Sequence, residues 1–319
     1  MTAETRQRTS HCRRGNGTLS GEALHAHRWT ALPERGTTFS LRVIAWIALH
    51  IGRAAARALL YPIALYFVIG ARVARRVSYE YLKRIHKRPP HWRHVLQHFH
   101  CFSATILDRV YLLRGEFEHF HVTIQGRELL QQRSEDGGGC ILLGSHLGSF
   151  EVLRALGVTQ EEFPLKVLMD TAHNQNLTRF LDGLNPKIAN TVIVPDRPDT
   201  LLRVKEWLDA GSVVGILGDR VSGAEKTTQC QFLGARATFP AGPILLAATM
   251  QCPVILFFGL YRGGNRYEIY FELFAQRIIL NREQRATEVH HWMQRYAARL
   301  EYYARLAPYN WFNFYPFWD

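Results

Sequence analysis

Cysteine is sparse in this 319-residue chain, and so is negative charge. Five cysteines are present (Cys12, Cys101, Cys140, Cys230 and Cys252), and no two form a CxxC pair. That spacing offers no paired-cysteine motif. Cys140 and Cys252 sit in apolar, strand-like surroundings, which predicts free buried thiols and a reducing compartment. Asp and Glu total 27 against 39 Lys and Arg, a net charge of +12 with His neutral. A chain so charged is drawn to anionic partners such as phospholipid headgroups, nucleic acid or an acidic protein. Nucleotide-binding signatures are absent too: there is no Walker A loop and no G-x-G-x-x-G in a strand-to-helix turn. Ser145 and Ser149 lie outside any G-x-S-x-G, which removes the hydrolase nucleophile elbow. No uninterrupted apolar run reaches the ~20 residues of a clean spanning helix, and no internal repeat is visible.

Residues 1–38 are polar, with scattered Arg and Gly, and read as a disordered leader without a signal-peptide pattern. A helical segment with a basic flank follows over 39–90. Its apolar stretch, 43–71, is interrupted only by Arg53 and Arg57, and Ala58–Ala71 is uncharged for 14 residues. The alternatives are one tilted span with both arginines buried, two membrane-lying segments, or a core helix of a soluble domain. Residues 72–88 then carry seven basic side chains (Arg72, Arg75, Arg76, Lys83, Arg84, Lys87, Arg88) and one acid, Glu80. A basic run directly after an apolar stretch is the pattern of a cytoplasmic membrane flank, which favours membrane association over a merely solvated helix. His91, His94 and His98 share one helical face, but no carboxylate or Cys completes a ligand set, so a partly exposed helix is expected there and no metal.

From residue 139 onward apolar runs alternate with helical patterns. Strands are predicted at 139–144, 165–169, 191–194, 212–218, 253–260 and 266–274. Helices are predicted at 149–157, 174–184, 199–210, 240–251 and 284–306. This rhythm implies an α/β domain over 91–319, with a mainly parallel central sheet flanked by helices. Across Gly263-Gly264-Asn265 an antiparallel hairpin at a sheet edge is expected.

The chemistry concentrates in four blocks. The first is Gly139-Cys-Ile-Leu-Leu-Gly-Ser-His-Leu-Gly-Ser-Phe-Glu151: a buried strand, a tight turn carrying His146, and a helix start carrying Glu151. On one continuous helix the two would lie about 140° apart. With a turn between them, Glu151 is expected to reach the imidazole and make it a general base at the carboxyl end of a strand. The second is Gly218-Asp219-Arg220, a charged pair at the end of a buried strand, fitting either a site rim or an internal salt bridge. Third, residues 232–247 place Arg236, Phe239, Pro240 and Gly242 before an apolar helix whose free N–H groups suit a phosphate or an oxyanion. The last is the aromatic tail from Leu306 to Trp318, with Pro308 and Trp311, suited to a membrane interface or to core packing.

Together these blocks resemble the bacterial lipid A biosynthesis (lauroyl/myristoyl) acyltransferases, within the glycerolipid acyltransferase superfamily, over roughly residues 40–315. His-x4-Glu is that superfamily's motif. The resemblance implies His146 and Glu151 as catalytic residues, with Ser145, Asp219, Arg220, Arg236, Phe239, Pro240 and Gly242 on the substrate side. It also implies a thioester donor on acyl carrier protein (or coenzyme A), a lipid or glycolipid hydroxyl as acceptor, no cofactor, and work at the cytoplasmic face of the inner membrane on anionic lipids. The tail departs from the family: Asn313, Phe314 and Tyr315 stand where paired arginines are usual. The rival from another class is a basic nucleic-acid-binding protein. It calls for basic residues interleaved with stacking aromatics, whereas the densest basic run here abuts an apolar segment, so no nucleic-acid partner is expected.

Overall fold

The computed structural model describes residues 38–159, 164–169, 183, 185, 191–193, 198–222 and 225–318. The expected leader over 1–38 and the helix over 174–184 lie outside the described residues, save for Thr38 and Gly183.

Four helices come first: α1 (Thr38–His50), α2 (Arg53–Gly70), α3 (Arg72–His86) and α4 (Trp92–Leu113). Strand β1 (His121–Gln125), α5 (Glu128–Glu135), β2 (Cys140–Gly144), α6 (Phe150–Thr159), β3 (Leu165–Leu168), β4 (Val192–Ile193), α7 (Thr200–Asp209) and β5 (Val213–Leu217) follow. The chain then forms β6 (Thr227–Phe232), β7 (Ala235–Pro240), α8 (Gly242–Met250), β8 (Val254–Tyr261), β9 (Arg266–Ala275) and α9 (Arg285–Leu306).

Seven strands make one sheet in the order β1-β9-β8-β2-β5-β3-β4, parallel at every junction except β8–β9. The central strands are near-continuous apolar runs because both faces are covered, as parallel sheets require. All five residues of β2 and all eight of β8 are buried. The β8–β9 hairpin turns through Gly263 and Gly264, both at positive φ (87° and 61°) that glycine adopts without strain. Its expected place at the sheet edge is corrected: β1 pairs in parallel outside β9. β1 is weakly apolar and alternates in burial, so the His-rich stretch around it hid a strand. The expectation of a merely partly exposed helix over this stretch also needs correcting, because His98 on α4 is fully buried. A second hairpin, β6–β7, stands apart from the main sheet and packs on α9. It occupies ground the sequence pattern left as a turn into α8.

The N-terminal helices share a core with the sheet rather than standing off from it. Ala56, Leu60, Ala64 and Val68, spaced four apart, form the buried stripe of α2. Ala56 and Leu60 join Ala104 and Leu107 of α4 and Leu142 of β2 in one apolar cluster. Arg53 and Arg57 lie on the protein side of α2. The Arg53 guanidinium makes two 3.0 Å bonds to the fully buried carboxylate of Asp108 on α4 and reaches the Gly264 carbonyl at 2.7 Å. Arg57 sits 3.7 Å from the same carboxylate and donates to the Tyr261 hydroxyl. The Tyr267 hydroxyl, on β9, also donates to Asp108 at 2.8 Å. One buried acid thus joins α2, α4 and the sheet. Removing one partner of a buried ion pair strands the other charge, at a cost of about 3–5 kcal/mol. Asp108→Ala is therefore expected to lower the unfolding free energy by about 3–5 kcal/mol, read as a lower midpoint of chemical denaturation at unchanged slope. An unchanged midpoint would show that apolar packing alone holds α2 in place.

Candidate functional site

The register of two neighbouring strands builds the site. β2 and β5 run parallel with Gly144 opposite Leu217. Two residues beyond Gly144 is His146, and two beyond Leu217 is Asp219, so both emerge at the same height on adjacent strands. The imidazole Nδ1 stands 2.8 Å from Asp219 Oδ1. Asp219 Oδ2 accepts the His146 backbone N–H at 3.0 Å and the Trp311 indole Nε1–H, also at 3.0 Å. A carboxylate can only accept here, so Nδ1 carries the ring's proton and Nε2 is left with a lone pair. The His146 side chain is 29% exposed, whereas that of Asp219 is 1% exposed.

The charges follow from this packing. Burial lowers the His146 pKa below its ordinary 6.5, with Arg220 and Arg109 acting the same way against the pull of Asp219. Burial pushes the Asp219 carboxyl up, but the His146 ring, Arg220 and the Trp311 N–H outweigh it and hold it below the usual carboxylate range. Near neutral pH the pair is a neutral imidazole hydrogen-bonded to an ionised acid, the state in which Nε2 can take a proton.

The turn carrying His146 is held from both sides. Gly148 has φ +78°, and a Cβ there would sit 1.9 Å from the Gly259 carbonyl oxygen of β8. Ser149 donates its N–H to that same oxygen at 2.8 Å. On the other side the C-terminal tail runs antiparallel to the turn, bridging Leu147 to Trp311. Gly148 N–H donates to the Asn310 carbonyl at 2.8 Å and Phe312 N–H to the His146 carbonyl at 3.0 Å. The Asn310 amide pairs with both backbone groups of Tyr261, at 2.6 and 3.0 Å, fixing the tail to the end of β8. The Tyr296 hydroxyl of α9 donates to the Gly144 carbonyl at 2.7 Å.

The expectation that Glu151 holds the imidazole is corrected by this geometry. Its carboxylate, in the first turn of α6, accepts Arg154 at 3.0 and 3.3 Å and lies 3.9 Å from Arg109 of α4. Glu151 therefore anchors α6 to α4 behind the turn, and Asp219 takes the imidazole. Of the other expected site residues, Ser145 is buried, its hydroxyl accepting the Leu147 N–H at 3.3 Å. Arg220 borders the site: its guanidinium donates to the Phe312 carbonyl at 2.8 Å and lies over the Tyr315 ring. Arg236 is exposed on β7, while Phe239 is fully buried against Phe232, Tyr296 and Phe317. Pro240 closes β7 opposite Thr227. At Gly242, where α8 begins, a Cβ would lie 3.1 Å from a carboxylate oxygen of Glu225, so an acid already stands where an anion was expected to bind. Among the described residues no hydrogen bond or ion pair joins Arg236, Phe239, Pro240 or Gly242 to His146.

Sequence reasoning placed Asp219 on the rim and gave Trp311 no chemical part; the structure brings both to the ring. The available signal was the apolar pair of strands, each ending two residues before a titratable side chain. Among the described residues, no group of three or more His, Cys, Asp or Glu is placed to hold a metal ion.

The fold is a mainly parallel α/β sheet with an imidazole oriented by a carboxylate at its carboxyl edge. The model of the bacterial lipid A biosynthesis acyltransferases matches residues 104–319, about two thirds of the chain, and the protein belongs to that family. No curated protein matches the sequence significantly.

Removal of Glu151 leaves Arg154, whose side chain is 5% exposed, facing Arg109 without its acid. Glu151→Ala is expected to lose about 3 kcal/mol of folding stability for that reason. A variant with wild-type stability would show that this ion pair does not hold α6 to α4.

Proposed function

We propose that this chain transfers a fatty acyl group from a thioester, on acyl carrier protein or coenzyme A, to a hydroxyl of a lipid or glycolipid acceptor, with His146 as the general base. The observation that carries this reading is the Nδ1–Asp219 bond, which leaves Nε2 as the basic nitrogen at the carboxyl edge of the sheet. Nε2 removes the acceptor's hydroxyl proton as its oxygen attacks the thioester carbonyl. The C–O bond forms and the carbonyl π electrons move to oxygen. When the tetrahedral intermediate collapses, the C–S bond breaks and the imidazolium returns the proton to the departing thiolate. Asp219 keeps the ring in the Nδ1–H tautomer and stabilises its positive form. Backbone N–H groups, or the Arg220 guanidinium at the border of the site, supply the charge that meets the oxyanion. Base catalysis of this kind is worth about 10²–10⁴ in rate.

Membership of this family brings the protein to a membrane, and the N-terminal helices support a contact with its surface. Among the described residues only α2 is long and apolar enough to cross a bilayer. Yet its arginines and its buried stripe are fixed to α4 and the sheet. The opposite face exposes Leu59, Tyr61, Leu65, Tyr66 and Ile69, with Trp46 nearby in sequence. Arg72, Arg75, Arg76 and Lys83 on α3 are exposed beside it. α2 lies in the interface, its apolar face in the acyl boundary and the basic face of α3 on anionic headgroups.

Three experiments test these readings. In a strain lacking the gene, mass spectrometry of the lipids is expected to show one missing acyl group. The wild-type chain restores it and His146→Ala does not, while folding normally; restoration by His146→Ala would overturn the base assignment. With purified enzyme the acid limb of kcat/KM is expected to fall below pH 6.5, following the lowered pKa of His146. For the membrane contact, Ile51→Cys and Ile69→Cys flank α2 at exposed positions. In sealed vesicles, with Cys12 and the partly exposed Cys252 replaced by Ser, both are expected to react with an impermeant thiol reagent from the same side. Labelling from opposite sides would make α2 a span.

A further inference from the structure

The C-terminal tail reaches the imidazole through a chain of hydrogen bonds that begins on the surface-facing helices. Ser78, on α3, is fully buried and places its hydroxyl 2.8 Å from Nδ1 of His98. His98 Nε2 lies 2.9 Å from the Trp311 carbonyl. A carbonyl only accepts, so Nε2 carries the proton; burial lowers the His98 pKa to about 4, so the ring is neutral and Nδ1 accepts from Ser78. Trp311 is thus gripped at two points, its carbonyl by His98 and its indole N–H by Asp219. Its ring is fully buried, packed on Tyr81, Phe232 and Phe317 at centroid distances of 5.1, 5.1 and 4.9 Å. Apolar packing alone would accept any ring of this size. The single N–H, aimed 3.0 Å from Oδ2, is what distinguishes Trp from Phe here.

We infer that Trp311 is a positioning residue for His146: its indole N–H, set by the Ser78–His98 link, holds the Asp219 carboxylate in the one orientation that fixes the imidazole as the Nδ1–H tautomer. This rests on the reading of His146 as the base. Oδ2 without the indole keeps only the backbone N–H of His146, so, among the described residues, the one bond to the carboxylate from outside residue 146 is lost and its direction is less constrained. A free imidazole divides its proton between both nitrogens, so loosening Asp219 removes the bias that leaves Nε2 basic.

Nitrogen-15 NMR of ring-labelled histidine reads the tautomer without any substrate, and loss of the resonances in His146→Ala assigns them. The wild-type ring is expected as the Nδ1–H form. In Trp311→Phe it is expected to become a mixture with the Nε2–H form. Under the displacement expected of a reacting group, kcat falls roughly ten- to a hundredfold with KM little changed. Should Trp311→Phe not fold, 3-benzothienylalanine at position 311 keeps the shape of the indole and lacks only the N–H. His98→Gln, which retains a donor for the Trp311 carbonyl, is expected to keep more activity than His98→Leu. A folded Trp311 variant with a pure Nδ1–H ring and wild-type kcat would overturn the inference, and equal activities in the two His98 variants would overturn the outer link. A mixed tautomer in Trp311→Phe together with a fully active His146→Ala would instead overturn the base reading while leaving the positioning contact intact.

Discussion

The side-by-side alignment of β2 and β5 is the constraint on which the rest depends. Parallel strands joined by evenly spaced bonds cannot slip by one residue without turning every side chain to the other face. Gly144 opposite Leu217 therefore fixes His146 and Asp219 at one level, one strand apart. Their meeting is a property of the sheet, to which the loops contribute only direction. Gly148, at positive φ and pressed against the Gly259 carbonyl, supplies that direction by letting the chain turn tightly into α6. A side chain at 148 would push the turn away from β8 and carry the imidazole with it.

The acid that closes this arrangement sits in surroundings that would ordinarily neutralise it. Asp219 is 1% exposed at its side chain, and desolvation favours the protonated form. The N–H donors of the His146 ring and of Trp311, with the nearby charge of Arg220, outweigh that cost. The same donors fix the carboxylate's direction, so ionisation and aim have a common origin. Glu151 shows the contrast. It is also buried, but its partners are guanidiniums of α4 and α6, and its charge holds two helices together rather than setting a proton on a ring.

Much of the sheet was readable from the residues because buried parallel strands are apolar on both faces. Cys140–Gly144, Val213–Leu217 and Val254–Tyr261 announce themselves that way, and their helices follow by alternation. His121–Gln125 escaped because it alternates, with every second side chain exposed and three of its five residues polar. The β6–β7 hairpin escaped because its turn is Leu233-Gly234, which carries no Asn-Gly or Asp-Gly signature. At the site, the position of the base was legible and its partner was not. Local spacing pointed to Glu151, five residues away, whereas the acid on the ring lies 73 residues on. Only strand order relates the two, and strand order is not written in spacing.

The N-terminal helices carry the same lesson in charge. Two arginines inside an apolar stretch read as a membrane span interrupted at some cost, or as two surface segments. Asp108 distinguishes these cases physically. A guanidinium bonded twice to a buried carboxylate on a helix packed against the sheet cannot also cross a bilayer without taking that helix along. α4 in turn carries His98, whose ring holds the tail at Trp311. The N-terminal helices and the tail at Trp311 are therefore parts of one hydrogen-bonded frame. Under the function proposed above, an acceptor lipid meets a site already aligned, because the helices assigned to the membrane surface are tied through His98 to the residue that bonds Asp219.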